Sequence, residues 1–125
     1  MNGIASFHLR AATVYALIGM VWGIHMGMSG DHTLFPAHAH LNLLGWVSVF
    51  LYGLFFAVFP RAAAGKLPVV HALVAHFGIV LMIPGVALAV SEVEPGEPLV
   101  GLGSILVVLS MLIFAVIVFR NSGKA

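Results

Sequence analysis

The strongest constraint on this chain is a set of four long apolar runs, which cover residues 11–28, 37–59, 67–90 and 99–119. A helix needs about 20 apolar residues to cross the hydrocarbon core of a bilayer, and each run is close to that length. The sequence therefore predicts an all-α, polytopic membrane protein. A single domain, residues 1–125, is expected to form an antiparallel four-helix transmembrane bundle in contact with lipid.

Three polar breaks separate the runs, at residues 29–33, 60–66 and 91–98, and each contains Gly or Pro. Such residues end one helix and allow another to begin. Pro36, Pro68 and Pro98 lie where the next helix is expected to start, because the missing N–H of proline costs nothing in a first turn. The short connections imply that consecutive helices are neighbours.

The few charged residues predict the orientation of the bundle. Four spans leave every basic residue on one side of the membrane and every acidic residue on the other. The basic set is Arg10, Arg61, Lys66, Arg120 and Lys124, and the acidic set is Asp31, Glu92, Glu94 and Glu97. The positive-inside rule then predicts that both termini are cytoplasmic, in the inner membrane of a bacterium.

The composition excludes several classes of protein. The net charge is +1, with no basic patch that would bind nucleic acid. The chain has no cysteine, which excludes disulfides, thiolate metal sites and iron–sulfur clusters. No Ser–His–acid group, phosphate loop or zincin motif is present, so we do not expect the chain to act as an enzyme on its own.

Seven histidines stand out in a chain with so few ionisable residues. His25, His32, His38 and His40 lie on one predicted hairpin at the outer face. Neutral imidazole is the commonest metal ligand and a usual axial ligand of haem iron, so this cluster is a candidate cofactor site. If two histidines hold a haem here, we expect His25 to pair with His38 or His40, because these residues lie at matching depth in the membrane.

The other three histidines, His8, His71 and His76, form a second-ranked group. The first two are expected at the inner ends of spans one and three, where they form the fallback haem pair. His76 lies nearer the middle of the membrane, where an ionisable side chain usually faces the bundle interior and has a partner or a function.

Helical periodicity separates the two histidines of the second span, since they are about 200° apart around a helix. His38 shares its face with Asn42, Gly45, Val49 and Tyr52, which indicates an interior position. His40 shares its face with Leu43, Leu44, Val47, Leu51 and Leu54, which suits lipid or a neighbouring subunit.

Residues 37–46, AHAHLNLLGW, resemble the start of the second helix in catalytic subunits of the haem–copper oxidase superfamily. The likeness is greatest to nitric oxide reductases and cbb3-type oxidases, which carry His-x-Asn there. The whole chain resembles small four-helix, subunit-I-like bacterial membrane proteins. The resemblance implies that His40, followed by Asn42, is an axial ligand of a low-spin haem b on the outer side. The other haem and copper ligands of that superfamily come from later helices, so we expect no oxygen- or nitric-oxide-reducing binuclear centre.

These observations predict a membrane protein with a histidine-ligated haem b or metal site at its periplasmic face. Its expected role is electron transfer, or a small-gas or redox function, together with a redox partner. One alternative is a copper or zinc site without haem, built from His25, His38, His40 and His32 or Asp31. The other is a non-catalytic assembly or scaffold subunit whose histidines are structural.

Small residues predict close helix contacts, because membrane helices associate through tight packing. Gly19, Gly23 and Gly27 form a double G-x-x-x-G pattern in the first span, and Gly53 and Ala57 form a similar pair in the second. These faces serve either packing within the chain or a homo-oligomer interface, and we expect a homo-oligomer.

Overall fold

The computed structural model describes residues 1–123, which form helices and turns with no strand among them. Lys124, which the charge pattern grouped with the cytoplasmic residues, lies outside the described residues. The four long helices are α1 (Gly3–Ser29), α2 (Phe35–Val58), α3 (Leu67–Val90) and α4 (Gly96–Asn121). Each is long and apolar enough to cross a membrane. The all-α class and the multi-pass membrane character are therefore confirmed.

The helix ends explain why α1 is longer than its apolar run. The side chain of Asn2 accepts a hydrogen bond from the backbone N–H of Ala5 at 2.8 Å, which caps the helix well before residue 11. At the other end Gly30 has a φ of 70°, and its N–H donates to the Met26 carbonyl. Pro36 and Pro68 lie in the first turns of α2 and α3, as predicted.

The largest departure from a regular helix lies inside α2. Residues Leu41–Ser48 are π-helical, between an α-helical start at Phe35–His40 and an α-helical end at Val49–Val58. π-helix is rare and occurs frequently at functional sites. The sequence predicted an uninterrupted α-helix here, because the apolar pattern alone does not distinguish a turn of 3.6 residues from a wider one.

Helix α1 packs along α2, and α3 packs along α4. Glycine permits the close contact between α3 and α4, because a larger residue would collide there. A Cβ atom added to Gly103 would lie 2.8 Å from the Cβ of Met82, and one added to Gly85 would lie 2.9 Å from the Cβ of Leu99. A core between α1, α2 and α3 includes Val49, Tyr52 and Ile79. The outer surfaces of the helices expose many large apolar side chains, which is consistent with contact with lipid.

Candidate functional site

The structure brings together the three second-ranked histidines. His8 of α1 and His71 of α3 are fully buried, and the centroids of their rings are 5.5 Å apart. The ring of His76, also on α3, stacks on that of His8 at 5.3 Å. Their predicted depth in the membrane made His8 and His71 the fallback haem pair. The contact between α1 and α3 adds His76 to the same cluster.

A hydrogen-bonded chain runs through this cluster. The hydroxyl of Tyr15 lies 2.9 Å from Nδ1 of His76, and Nε2 of His76 lies 3.2 Å from Nδ1 of His8. In one consistent polarity the Tyr15 O–H donates to His76, whose Nε2–H donates to His8. These two hydrogen bonds therefore connect α1 to α3 and back to α1 through three titratable side chains, Tyr15, His76 and His8.

This series of hydrogen bonds ends beside buried ring nitrogens that have no hydrogen-bond partner among the described residues. Nε2 of His8 and both ring nitrogens of His71 are buried and make no hydrogen bond with any of residues 1–123. Unpaired buried nitrogens carry a free-energy cost, so they usually indicate a mobile proton, a water molecule or an ion. Around them lie the aromatic rings of Tyr52, Phe56 and Phe114.

The surroundings of His8 and His71 do not fit a porphyrin. The Tyr52 ring lies 5.7 Å from His8 and 4.6 Å from His71, and the Phe56 ring lies 5.8 Å and 6.1 Å from the same two rings. Both aromatic rings are therefore close to the plane midway between the imidazoles, which is the plane that a bis-histidine haem would occupy. The fallback haem pair would require this aromatic packing to open.

At the other end of α1, His38 joins α2 to α1. Its Nε2–H donates to the carbonyl of Gly19 at 3.0 Å, and the Asn42 amide lies beside the same ring and donates to the His38 carbonyl at 3.1 Å. Nδ1 of His38 is buried without a partner. His38 therefore lies on the face of α2 that meets α1, the same face on which Gly45, Val49 and Tyr52 are buried.

His40 lies on the opposite side of α2 and bonds only to its own helix. Its Nδ1–H donates to the Pro36 carbonyl at 2.7 Å. Below it, Leu43, Val47, Leu51 and Leu54 are exposed, whereas Leu44, which was predicted on the same outward face, packs against the core. A histidine that ligates a metal typically donates its other ring N–H to a carbonyl in this way, which leaves Nε2 directed at the ligand.

The remaining outer histidines lie apart from this pair. His25 is exposed and lines a surface groove with Leu17, Val21 and Trp22. It follows Gly23 by two residues, about 200° around the helix, so it faces away from the α1 surface that meets His38. His32 lies in the loop, where its Nδ1 bonds to the Gly30 carbonyl at 3.2 Å.

The described residues contain no group of three or more His, Asp or Glu side chains arranged to hold a metal ion. The proposed copper or zinc set of His25, His38, His40 and His32 or Asp31 is therefore not assembled within the chain. The Asp31 carboxylate accepts hydrogen bonds from the hydroxyl and backbone N–H of Thr33 instead, and these bonds lower the pKa of Asp31. Because this carboxyl is exposed in the loop, its charge is maintained at neutral pH.

The small-residue faces are used mainly inside the chain. Gly19 and Gly23 face Asn42 and His38 of α2, and Gly53 faces Leu9 of α1. Gly27 has open space beside it, and Ala57 is exposed. Packing within the chain thus accounts for three of the five residues that were candidates for a homo-oligomer interface.

His8, His71 and His76, together with Tyr15 and Tyr52, are called the inner cluster below. The sequence pattern did not single out its two tyrosines. Tyr15 follows His8 by seven residues, which is about two helical turns, so both side chains lie on the same face of α1. That spacing was a readable signal for Tyr15. Tyr52, by contrast, meets His71 only because α2 packs near α3, and no local pattern reports that contact.

The chain matches no known family model, and comparisons with curated proteins and with solved structures find no match. The resemblance of residues 37–46 to haem–copper oxidase subunits therefore stays a prediction.

Proposed function

We propose that this protein holds a haem b through His40 at the outer end of α2 and serves electron transfer. The observation that carries the proposal is the hydrogen bond from His40 Nδ1 to the Pro36 carbonyl, which fixes the ring and leaves Nε2 unengaged. The resemblance of residues 37–46 to a haem-binding helix supports the same residue. A bound haem b would supply one-electron redox chemistry at this position.

The proposed arrangement places this site at the periplasmic face of a bacterial inner membrane. Charge supports it: Arg10, Arg61 and Arg120 lie at one end of the helices, and Asp31 and Glu94 lie at the other. Contacts between α1 and α2 support antiparallel helices, since Asn2 meets Phe56 while Gly19 meets Asn42. Both termini would then be cytoplasmic.

The residues around His40 would perform separate tasks. Pro36 orients the imidazole through its carbonyl oxygen, and the bond from His38 to Gly19 holds the start of α2 against α1. Leu43 and Val47 are exposed below His40 and would cover the apolar face of a macrocycle. The π-helical segment Leu41–Ser48 begins directly after His40 and sets the direction of this face.

A second imidazole to hold the haem would come from His40 of a second copy. Each chain carries one such imidazole beside the exposed Leu43 and Val47 of α2, and His25 faces away from the α1–α2 contact. A two-fold dimer brings identical residues together, so the two His40 side chains would hold one haem between the chains. This arrangement predicts one haem for two chains.

The test is an absorption spectrum and a haem-to-protein ratio for the full chain, purified after expression with ample haem. We expect a b-type Soret band that is lost in His40→Ala and partly restored by added imidazole. His32→Ala is the matched control and should keep the spectrum, because His32 bonds only within its loop.

Three outcomes would contradict the proposal. No Soret band in the wild-type protein would exclude a haem protein, and an unchanged spectrum in His40→Ala would exclude this ligand. One haem for each chain would exclude the shared site. Metal analysis of the same sample separates the bare-metal alternative, and intact partner assembly with single alanine variants of His25, His38 and His40 would favour the scaffold alternative.

A further inference from the structure

A second feature of the molecule is independent of the outer histidines. Hydrogen bonds join Tyr15 and His8 of α1 to His76 of α3, and His71 of α3 lies beside them. His8 and His71 are fully buried among apolar helices, and Tyr15 and His76 are partly buried. Ionisable residues at such depth are costly, and proton relays are one of their established uses in membrane proteins.

We propose that Tyr15, His76, His8 and His71 form a proton relay, with Tyr15 at one end and His71 at the other. Imidazole suits this function because each neutral ring has one N–H and one lone pair, so it accepts a proton at one nitrogen while it releases another. The ring of His76 uses both nitrogens in this way, between the Tyr15 hydroxyl and His8.

The transfer balances without any other reactant. A proton that arrives on the Tyr15 oxygen releases the hydroxyl proton to Nδ1 of His76, and the Nε2 proton of His76 moves to Nδ1 of His8. The Nε2 proton of His8 then passes to His71. Each of the three donors is neutral again afterwards, and the two transferring imidazoles are in the opposite tautomer. One proton has moved from Tyr15 to His71.

The last step explains the unpaired nitrogens. Nε2 of His8 and both nitrogens of His71 are buried without partners, although the two rings are only 5.5 Å apart. One bridging water molecule or a small ring rotation would connect them. A purely structural histidine pair would be expected to satisfy these atoms, because each unpaired buried nitrogen destabilises the fold.

Tyr52 provides a matched control for the relay. Its ring contacts both His8 and His71, yet neither His8 nor His71 forms a hydrogen bond with it. Tyr15→Phe and Tyr52→Phe each remove one hydroxyl and keep a ring of nearly the same size. Only the first substitution interrupts the proposed chain.

The test is solid-state ¹⁵N NMR of the full chain with labelled histidine in lipid bilayers, titrated with acid. We expect the His76 and His8 resonances to change together, because a proton added to one ring is shared with the other. Tyr15→Phe should alter the protonated nitrogen of His76 and also that of His8, which Tyr15 does not bond. Tyr52→Phe should leave both tautomers unchanged.

Independent changes at His76 and His8 during the titration would overturn the relay. So would an effect of Tyr15→Phe that stops at His76, or an equal effect of Tyr52→Phe, since coupling through packing would then explain the result. A circular-dichroism melt of both variants checks that the fold is retained. If Tyr15→Phe does not fold, His76→Phe takes its place, and an unchanged His8 tautomer in that variant would also overturn the proposal.

Discussion

At the scale of single residues, the hydrogen-bond partner of each histidine separates its role from those of the others. His38 bonds to a neighbouring helix, His40 bonds to its own helix and His32 bonds within its loop. His76 alone uses both ring nitrogens on other side chains. Histidine count and depth suggested a cofactor site, but only these partners distinguish a candidate ligand from a helix-to-helix contact or a relay member.

Asn2 shows how one polar residue positions the inner cluster. Its side-chain oxygen caps α1 through Ala5, and its amide donates to the Phe56 carbonyl of α2 at 2.8 Å. We expect Asn2→Ala to lower the free energy of unfolding by about 1–3 kcal/mol, since a cap and an interhelical bond are both lost. Unfolding by SDS in mixed micelles measures this change.

Asn2→Ser separates the two contributions. Serine is a good N-cap but is too short to reach Phe56, so we expect it to lose only about 1 kcal/mol. Asn121→Ala is the matched control, because among the residues that the structure describes the Asn121 side chain bonds only to Ile117 of its own helix. An Asn121→Ala loss as large as that of Asn2→Ala would contradict the explanation.

At the scale of helices, the apolar runs located all four elements but missed their internal detail. The α1 cap and the π-helical segment of α2 both lie where hydropathy carries no signal. The short connection predicted that α3 and α4 are neighbours, but the glycines that permit their close approach were missed, because Gly85 and Gly103 are not spaced four residues apart on one helix. Each lies on a different helix, so their shared role exists only after packing.

We expect substitution by alanine to destabilise the protein at Gly103 but not at Gly101. A Cβ at Gly103 would lie 2.9 Å from the Cα of Met82, whereas one at Gly101 meets no atom within 4 Å. We expect Gly103→Ala to destabilise the protein by about 1–3 kcal/mol through overpacking. Gly101→Ala should be neutral or stabilising by up to about 1 kcal/mol, because alanine favours the helix.

The same SDS unfolding measurement compares the two variants. If both variants are as stable as the wild-type protein, the close contact between α3 and α4 is not present in the bilayer. If both variants lose the same amount of stability relative to the wild-type protein, the loss is a general effect of the added methyl group.

At the scale of the whole molecule, the proposed orientation can be tested directly because the chain has no cysteine. We expect Asp31→Cys and Glu94→Cys to react with a membrane-impermeant maleimide on intact cells. Ala64→Cys should react only after the membrane is opened, because its loop lies beside Arg61 and Lys66 on the proposed cytoplasmic side. All three positions are exposed in the structure.

The reverse labelling pattern would place the His40 site on the cytoplasmic side and contradict the proposed location. Labelling of Asp31→Cys and Ala64→Cys from the same side would contradict the number of spans. Either result is independent of the haem spectrum, so orientation and cofactor are tested separately.

The all-helical membrane architecture follows from the four apolar runs. Each is close to the length of a membrane helix and none alternates as a barrel strand does, so helices are the way for this chain to satisfy its backbone in lipid. Helical rotation also favoured His38 over His40 as the inward-facing residue, since both lie on one helix about 200° apart. This is a local property, and it does not place every residue of the π-helical segment, because Leu44 packs against the core.

Which side chains meet depends instead on how the helices pack against one another. Tyr15, His8 and His76 come from two helices and are separated by as many as 68 residues in sequence. Their contact depends on the rotation and offset of α1 against α3, which apolar surfaces facing uniform lipid do not specify. Close packing of small residues and pairing of buried polar groups specify it instead.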